Sequence, residues 1–529
     1  MKTDRTQKGQ ALILIVLAVV GLIALTGLAV DGSATYSNRQ GATNAAETAA
    51  LTGALDLANN KTSSTAITDA TTAATTGGFA NGTAATVTVN NPPVASAACN
   101  GTLPTFSQSS SQYVQVVINT NVNTSFSSLV GVKQTHNCVD AIARGQSGTS
   151  GSMFNGAAIV ATDNASGCNQ TMLFNGSANV TTTGGSIFDN CNGSSAVLLN
   201  GGVDLQMTGS GQDVGGILNN GGNTINPGIT TGAVGLAMPA TAWSAIPAIQ
   251  TPSISCSGNG TATITPTTGG STSGTPQSVT LNSGTATLSP GNYSSITVQG
   301  GTLTFSGGTY CLNGGININS GTVTFDAGSY LLGSSISQNG GTLTGSGTDI
   351  LVMGSNSVTQ NTGSDTFADL EMYFTSGSWI MNGTTSLNAT KLRYYSTGSS
   401  SMTVNGGDTL TSSNAFFYLT SGSVTWNGSS TINLQAPPTG DPYAGLLIYM
   451  PWSNTSSFTL NGGSSVSVTG TILAPHSNIT ANGASNFKDL NSQIVGYTFI
   501  FNGGGTFDVN YNAGQNYGTP TTAYVELIK

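Results

Sequence analysis

A five-residue phrase recurs along the chain at an interval close to twenty residues. Gly301-Thr-Leu-Thr-Phe is followed by Gly321-Thr-Val-Thr-Phe and then by Gly341-Thr-Leu-Thr-Gly, and Gly284-Thr-Ala-Thr-Leu precedes the series. A fixed period of this size is typical of a solenoid, in which each repeat forms one coil that buries its apolar face against its neighbours. Within the coil, Thr-Leu-Thr-Phe alternates as a strand with one inward face must.

Asn-Gly pairs recur over much of the chain, and several successive pairs are also close to twenty residues apart. Among the asparagines that precede a glycine are Asn155, Asn175, Asn192, Asn382, Asn405, Asn427, Asn461, Asn482 and Asn502. Glycine and asparagine suit the tight corners between strands, where a positive φ is needed. Coil-to-coil equivalence favours a right-handed parallel β-helix of the pectin-lyase type over a sandwich, which would need antiparallel hairpins. Roughly fifteen coils at about 4.8 Å each predict a rigid rod on the order of 70 Å long.

The composition favours an ordered, mainly β chain. Of 529 residues, 72 are glycine and only 6% are charged, but 37% are hydrophobic, unlike a disordered Gly/Ser-rich chain. The rhythm breaks over residues 225–275, where spaced prolines predict an extended crossover laid along the rod. We therefore expect first coils over 151–224, a main β-helix over 276–515 and a C-terminal tail over 516–529.

The N-terminus has the pattern of a membrane anchor. Ala11 to Val30 is twenty residues without a charge, long enough to cross a bilayer core of about 30 Å. Three basic residues precede this segment and Asp31 follows it, which predicts a cytoplasmic N-terminus and export of the rest to the cell surface. A cleaved signal peptide is the alternative, but its apolar region is normally about 7–15 residues long. The pattern favours a single-pass anchor that contacts membrane lipid through residues 11–30.

The anchor continues into a segment rich in good helix formers, which predicts one helix to about Leu57. The segment KGQALILIVLAVVGLIALTGLAVDGS, with Tyr36-Ser-Asn-Arg39 and the alanine-rich run from Asn44 to Ala54, resembles the N-terminus of TadG-like Flp (Tad) pilus-assembly proteins. Leu14 stands where a processed type IV-like pilin usually carries glutamate. The resemblance therefore implies a membrane-retained component that works with the pilus machinery.

The same resemblance extends beyond the anchor. Residues 1–60 form the anchor and its continuing helix, and residues 61–150 form a small α+β module. Ala436 to Tyr449 and Gly470 to Asn478 resemble the β-helix portion often joined to TadG-like N-termini. The resemblance thus implies a surface-exposed structural or adhesive protein.

Six cysteines all follow the anchor, and an even number in an exported region suggests disulfides. They are Cys99, Cys138, Cys168, Cys191, Cys256 and Cys311. Fifteen connectivities are possible, and the spacing favours sequential pairing, with the second pair about one coil apart. A metal site is disfavoured because His136 and His476 lie far apart and no Cys-x-x-Cys pair exists.

Charge limits the functions available to the chain. The net charge of −9 disfavours a nucleic-acid partner, and no Lys or Arg lies between Arg144 and Lys391 to serve a lyase acting on an acidic polysaccharide. Asp369-Leu-Glu371 and Lys391-Leu-Arg393 are 22 residues apart, about one coil, so we expect an exterior ion ladder with Asp369 on Lys391 and Glu371 on Arg393. We predict no catalytic residues, no cofactor and no enzyme activity. A polysaccharide-active β-helix lyase or glycoside hydrolase is the alternative.

Pairs of threonines in the repeat suggest a second alternative, a glycan- or ice-binding surface. The pairs are Thr285/Thr287, Thr302/Thr304, Thr322/Thr324 and Thr342/Thr344. Both members of a pair point to one face. Threonine is, however, also frequent in strands without a binding role, because it is β-branched and forms hydrogen bonds between neighbouring strands. Several aromatic side chains could contact a surface glycan, but most are expected in the core or at coil ends. They are Tyr310, Tyr330, Trp379, Trp426 and Trp452. Self-association through the ends of the solenoid is a further expectation.

Overall fold

The structure is a computed structural model. It describes residues 7–59, 61–106, 109–146, 150–238, 243, 246–352, 354–463, 465–483, 486–520 and 524–529. The chain forms two compact units. Met1–Ser150 with Pro520–Lys529 make up the first unit, and Gly151–Thr519 make up the second, which is therefore an insertion in the chain of the first. The protein is mainly β, as the sequence predicts, and the described residues contain two α-helices.

The first unit packs two helices on a four-stranded antiparallel sheet. Helix α1 spans Gln7–Ala58 and helix α2 spans Ser63–Thr76. The strands, in sheet order, are Ala85–Asn90, Tyr113–Asn123, Gln134–Gln146 and Tyr524–Leu527. Short 3-10 helices span Ala95–Ala97, Ser110–Gln112 and Ser127–Val130. The last strand lies in the segment expected to be a tail, so the C-terminus completes this sheet instead.

Helix α1 has two halves with different surroundings. Its C-terminal half presents a row of buried alanines to the sheet, among them Ala42, Ala46 and Ala49, which pack with Val116 and Ile118 in one apolar cluster. Alanine brings a helix backbone close to a sheet and is the best helix former. The anchor helix and the α+β module, which the sequence predicts as separate domains, therefore share one core.

The second unit is a β-solenoid of about 15 turns, built from three faces of parallel strands. Face 1 contains Asn179–Thr183, Asp204–Met207, Thr224–Asn226, Thr285–Leu288, Thr302–Phe305, Thr322–Phe325, Thr342–Gly345, Thr409–Ser412, Thr431–Gln435, Ser465–Thr469, Asn486–Asn491 and Thr506–Asn510. Face 2 contains Ile159–Ala161, Ile187–Asp189, Gly211–Asp213, Ile229–Thr231, Gly308–Leu312, Gly328–Leu332, Thr348–Val352, Ala415–Ser421 and Leu446–Tyr449. Face 3 contains Met172–Gly176, Val197–Gly201, Ile217–Gly221, Gln277–Leu281, Ile316–Ile318, Ile336–Gln338, Val424–Trp426 and Phe458–Asn461.

Longer strands turn corners and contribute to more than one face. They are Gly291–Val298, Val358–Phe374, Gly377–Val404, Thr471–Asn482 and Ile494–Asn502. Four further short strands are Ser150–Ser152, Ala262–Thr265, Gly270–Ser273 and Gly518–Pro520, and 3-10 helices span Met153–Gly156 and Thr267–Gly269.

The interior of the solenoid is a set of stacked apolar columns. Leu303, Val323 and Leu343 are in register on face 1 and buried. The Phe305 and Phe325 rings stack with centroids 5.0 Å apart. Parallel stacking with aromatic contact of this kind is what the twenty-residue period predicts, because equivalent residues of successive coils lie one above the other.

Asparagines form a second column at one corner. Nδ2 of each donates to the side-chain oxygen of the previous one from Asn382 through Asn405 and Asn427 to Asn502. The same column then continues through Asn175, Asn200 and Asn220. Most of the predicted Asn-Gly corners therefore occupy one line, in which each coil bonds to the next.

The coils are not stacked in chain order. Ile159–Ala161 and Met172–Gly176 pair in parallel with Ile494–Asn502, so the first coils of the chain lie on the last coil of the main block. The first coils continue to Thr231, beyond the boundary expected at residue 224. The parallel strands of the main block begin at Gln277. The two strands that precede it, Ala262–Thr265 and Gly270–Ser273, pair antiparallel with its first coil.

The crossover follows face 2 from one end of the solenoid to the other. The Asn190 side chain donates to Leu236 O at 2.9 Å and accepts from its N–H at 2.7 Å. The Trp243 ring stacks on Trp452 with centroids 6.2 Å apart. The Cys256–Cys311 disulfide then ties the crossover to the first coils of the main block.

Candidate functional site: the exposed apolar helix and the solenoid surface

The first half of α1 exposes a continuous apolar surface. Its large side chains from Leu12 to Val30 are exposed, Leu14 at 67% and Leu28 at 66%. Within the described residues this is the one helix long and apolar enough to cross a membrane, with a mean hydropathy of 3.0 over its most apolar window. Exposed apolar surface of this extent in water is unfavourable, so the segment needs an apolar environment.

Asp31 ends the apolar segment with a carboxylate held by backbone amides. Its side-chain oxygens accept N–H bonds from Ser125 at 2.8 Å, Phe126 at 3.0 Å and Ser127 at 2.6 Å. These amides, led by that of Ser127, lower the pKa of Asp31. The carboxylate therefore fixes the point at which the helix leaves the apolar segment and joins the folded unit.

Glycine permits the closest packing at this junction. Gly27 is buried against the Phe126 side chain, and a Cβ at position 27 would lie 2.5 Å from the Cβ of Phe126. One turn beyond Asp31, the Thr35 hydroxyl bonds to the Thr135 hydroxyl at 2.9 Å. Asn38 Oδ1 then accepts from the Thr120 hydroxyl at 2.6 Å. The region just beyond the predicted span is thus fastened to the sheet by polar contacts.

Three disulfides join the cysteines in sequential order. They link Cys99 with Cys138, Cys168 with Cys191, and Cys256 with Cys311. The first lies in the first unit, the second joins neighbouring coils, and the third holds the crossover to the solenoid. Disulfides are typical of proteins that mature in an oxidising compartment.

The predicted ion ladder has the expected strand register but different ion pairs. Asp369 lies beside Lys391 and Glu371 beside Arg393 on neighbouring strands. Lys391 Nζ contacts both carboxylates, at 2.9 Å from Asp369 Oδ2 and 2.6 Å from Glu371 Oε1. Desolvation lowers the pKa of Lys391, but the hydrogen bonds to Glu371 and Asp369 outweigh it, so the pKa is raised overall.

Arg393 does not pair with Glu371. Its side chain is 2% exposed, and one guanidinium nitrogen lies 2.7 Å from Asp441 Oδ2 and 2.9 Å from Asn414 Oδ1. Asp441 lies between two strands in the segment that contains Pro437 and Pro438. The prediction of a four-residue ladder is therefore wrong in this detail, because an insertion between coils supplies the partner of Arg393.

Polar residues inside the solenoid were not identified from the sequence. Asp365 accepts from Leu343 N–H at 2.8 Å, Gln338 Nε2 at 2.8 Å and Gln360 Nε2 at 2.6 Å. Trp379 Nε1 donates to Gln360 Oε1 at 2.7 Å. Burial raises the pKa of Asp365 to about 6. The period of the repeat could have identified one of these buried polar residues, since Gln338 occupies the inward position that Ile318 fills one coil earlier.

A pair of buried acidic residues lies in the first coils. Asp189 and Asp213 are neighbours on face 2, and both are fully buried. Burial raises the pKa of Asp189 to about 7 and that of Asp213 to about 6. The Asp189 carboxylate also accepts from the Thr171 hydroxyl, whose oxygen lies 2.9 Å and 2.7 Å from its two oxygens. Across the described residues, no group of three or more His, Cys, Asp or Glu side chains is placed to hold a metal ion.

The predicted threonine pairs form two columns on the outside of face 1. Thr285, Thr302, Thr322 and Thr342 are in register, as are Thr287, Thr304, Thr324 and Thr344. Four of the five aromatic residues considered for a glycan are fully buried. They are Tyr310, Tyr330, Trp379 and Trp426. Trp452 is half-buried and stacks on His476 with centroids 4.5 Å apart.

Comparison with known proteins identifies the N-terminal segment. The family described as putative Flp pilus-assembly TadE/G-like matches residues 9–56, which cover the apolar segment and most of the rest of α1. No curated protein and no solved structure matches the chain. The matched domain, the apolar helix and the β-solenoid together support a membrane-anchored, pilus-associated protein.

Proposed function

We propose, from the premise that residues 9–56 form a TadE/G-like Flp pilus-assembly domain, that this protein is a structural and adhesive component of the cell surface. Residues 11–30 cross the membrane once, with the N-terminus in the cytoplasm. The rest of the chain lies outside, where its disulfides form and where it meets the pilus machinery. The observation that carries the proposal is the exposed apolar surface from Leu12 to Val30, ended by Asp31.

The proposed role of the solenoid is to be a rigid, non-catalytic stalk. Equivalent coils bond through backbone ladders, side-chain amides and apolar columns, which resist bending better than a flexible linker does. The exposed charge cluster supports this role, since both of its carboxylates, Asp369 and Glu371, are engaged by the one ammonium of Lys391. A glycosidase needs one carboxylic acid and one carboxylate free to act on its substrate.

Cell fractionation combined with protease treatment of intact cells tests the anchor and its orientation. We expect the protein in the membrane fraction, loss of the solenoid on protease treatment, and a retained peptide that spans Ala11 to Val30. A mature protein that begins near Asp31 and is recovered from the medium would contradict the anchor. A protein that begins at Gln10 and is recovered in sheared filaments would make it a pilin-like subunit instead.

A second candidate function is supported by the threonine columns. Two parallel rows of hydroxyls over four successive coils offer a regular polar surface for a glycan or for ice. Binding to a panel of surface polysaccharides and thermal hysteresis would be measured for the protein and for Thr322→Ala with Thr324→Ala. Loss of either activity in the variant supports this function, and its retention in the variant excludes the columns as the binding surface.

A further inference from the structure

The two ends of the solenoid are built differently. At one end the chain departs from the repeat and covers the first coil. Ala262–Thr265 lies antiparallel on Thr285–Leu288 of face 1, and Gly270–Ser273 lies antiparallel on Gln277–Leu281 of face 3. On face 2, Asn259 bridges to Asn292. All three faces are therefore closed at this end by chain that does not repeat.

The other end stops on a regular coil. Its three strands are Ile217–Gly221, Thr224–Asn226 and Ile229–Thr231. Among the strands described, each of them pairs with one neighbour only. Three parallel strand edges are thus left without a partner on the outer side. Unpaired edges of this kind are templates for the addition of further strands.

The same three-residue sequence occurs at the open end and in the middle of face 1, so the burial of its isoleucine can be compared at the two places. Thr224-Ile225-Asn226 lies at the open end of face 1, and Thr431-Ile432-Asn433 lies in its middle. Ile432 is fully buried, whereas Ile225 is only partly buried in the same inward position. Among the residues that the structure describes, none covers the end of this apolar column.

The backbone and the asparagine column are unfinished at the same place. Thr224 N–H donates back to Val203 O at 2.8 Å, so the N–H and C=O of Ile225 point to the open side. The asparagine column ends at Asn220, which donates to Asn200 Oδ1 at 3.1 Å. Each of these features ends in a form that one more layer of strands would complete.

The terminal coil at the open end has no charged side chain. No Asp, Glu, Lys or Arg occurs from residue 214 to residue 325, although the whole chain has a net charge of −9. Natural edges that must stay single are usually protected by charged side chains or by proline within the strand. Pro227 lies between two of the three terminal strands and outside both. The nearest carboxylates, Asp204 and Asp213, lie one coil below, beside Thr224 and Thr231. The strand edges on which two copies of this acidic chain would meet are themselves uncharged.

We propose that the open end binds the open end of a second copy of this chain, in a two-fold symmetric dimer. A two-fold axis across the solenoid reverses strand direction, so the terminal strands of the two copies pair antiparallel and supply each other with backbone partners. The closed end offers no regular coil to the open end, which limits growth to two copies. A two-fold contact uses the same surface on both partners. The proposal goes beyond the anchored stalk and does not depend on the orientation of the anchor.

A pair of matched lysine substitutions tests the dimer. The full-length protein in detergent is measured by light scattering coupled to size-exclusion chromatography over a range of concentrations. We expect a concentration-dependent dimer, and we expect Thr224→Lys to weaken it by at least about tenfold, because the lysines oppose pairing at the edge. Thr431→Lys introduces the same charge at the exposed threonine of the repeated sequence in the middle of face 1, and this variant should dimerise as the parent does.

Hydrogen exchange gives a second readout that does not rest on a substitution. Dilution of the parent protein below the dimer dissociation constant should accelerate exchange at residues 217–231 and leave residues 431–435 unchanged. A monomeric parent at all concentrations, a dimer that Thr224→Lys does not weaken, equal weakening by Thr431→Lys, or growth beyond two copies would each overturn the proposal. A dimer held by the apolar helix alone would not be weakened by Thr224→Lys and would therefore also overturn the proposal.

Discussion

Asn175 Nδ2 donates to Asn502 Oδ1 at 2.9 Å, although 327 residues separate the two side chains in sequence. The bond lies in the asparagine column at the place where the first coils of the chain meet the last coil of the main block. Asn502 donates to Asn482 and Asn200 donates to Asn175, so the column is continuous across this junction. The first coils therefore join the main block through a hydrogen bond between residues distant in sequence, of the same kind as the bonds between coils that follow one another in the chain.

We expect the junction to have the energy of an ordinary coil contact. In a double-mutant cycle, Asn175→Ala and Asn502→Ala should couple by about 0.5–1.5 kcal/mol in the apparent free energy of unfolding, because either change removes the same hydrogen bond. Urea unfolding followed by circular dichroism measures this. Asn319→Ala, which lies in a separate run of the asparagines, is the control partner. If the free-energy changes of Asn175→Ala and Asn502→Ala simply add, the two side chains do not interact and the proposed contact between the first and last coils is contradicted.

The period of the sequence predicts coils but not their order. Equivalent residues recur every twenty or so positions, so strand positions, inward residues and Asn-Gly corners follow from local pattern. Asn175 and Asn502 carry the same Asn-Gly signal as their neighbours, and nothing in that signal says which coil lies on which. The order depends on where the crossover can reach, which is a property of the folded chain.

For the charged residues too, contacts that follow from the repeat spacing could be predicted, and contacts made by segments outside the repeat could not. A spacing of 22 residues predicts that Asp369 lies beside Lys391, and the strand register agrees. The partner of Arg393 could not be predicted, because Asp441 comes from an insertion with no place in the repeat. The burial of Asp365 could not be predicted from its own position in the sequence, because it depends on the side chains of Gln338 and Gln360, which bind the carboxylate inside the solenoid.

Asp31 should stabilise the contact between helix α1 and the segment around residues 125–127. In Asp31→Ala the amides of Ser125, Phe126 and Ser127 lose their acceptor, and buried donors without a partner are unfavourable. We expect a lower unfolding temperature and several-fold faster proteolysis between residues 124 and 133.

Asp69→Ala is the matched control, because the Asp69 side chain is 43% exposed and its contact with Lys61 is 3.5 Å long. The pKa of Asp31 is lowered in the folded protein. Its stabilisation is therefore present above the ordinary pKa of aspartate and is lost as the pH falls through the lowered value. Equal proteolysis of the two variants would argue against the role given to Asp31.

The two isoleucines of the repeated sequence should differ in their contribution to stability. Ile432→Ala opens a cavity in the middle of the solenoid and should cost about 2–5 kcal/mol. Ile225→Ala should cost less than half as much in the monomer, since Ile225 already lacks a covering layer. Both values are measured by urea unfolding at low protein concentration. If the cost of Ile225→Ala rises with protein concentration, the second copy supplies the missing layer, whereas equal costs at low concentration would show that the end is already covered.

Burial of Asp189 should make the solenoid more stable in mild acid than in mild base. Its pKa is raised from 3.8 to about 7, so at pH 5 the folded protein holds a proton that the unfolded chain has released. Stability is full below the unfolded pKa and falls as the pH rises through about 7. At about 1.4 kcal/mol per pH unit, over the two units between pH 5 and the folded pKa, Asp189 accounts for at most about 3 kcal/mol of the loss between pH 5 and pH 8.

Asp189→Asn separates this effect from the other raised aspartates, Asp213 and Asp365. Asparagine keeps an acceptor for Thr171 and Cys191 but does not titrate, so the variant should lose less stability than the parent between pH 5 and pH 8. Asp204→Asn makes the same substitution at a partly exposed position on face 1 and serves as the matched control. Urea unfolding at the two pH values measures both variants. An identical pH dependence in Asp189→Asn and the parent would mean that Asp189 is already ionised in the folded protein at pH 5.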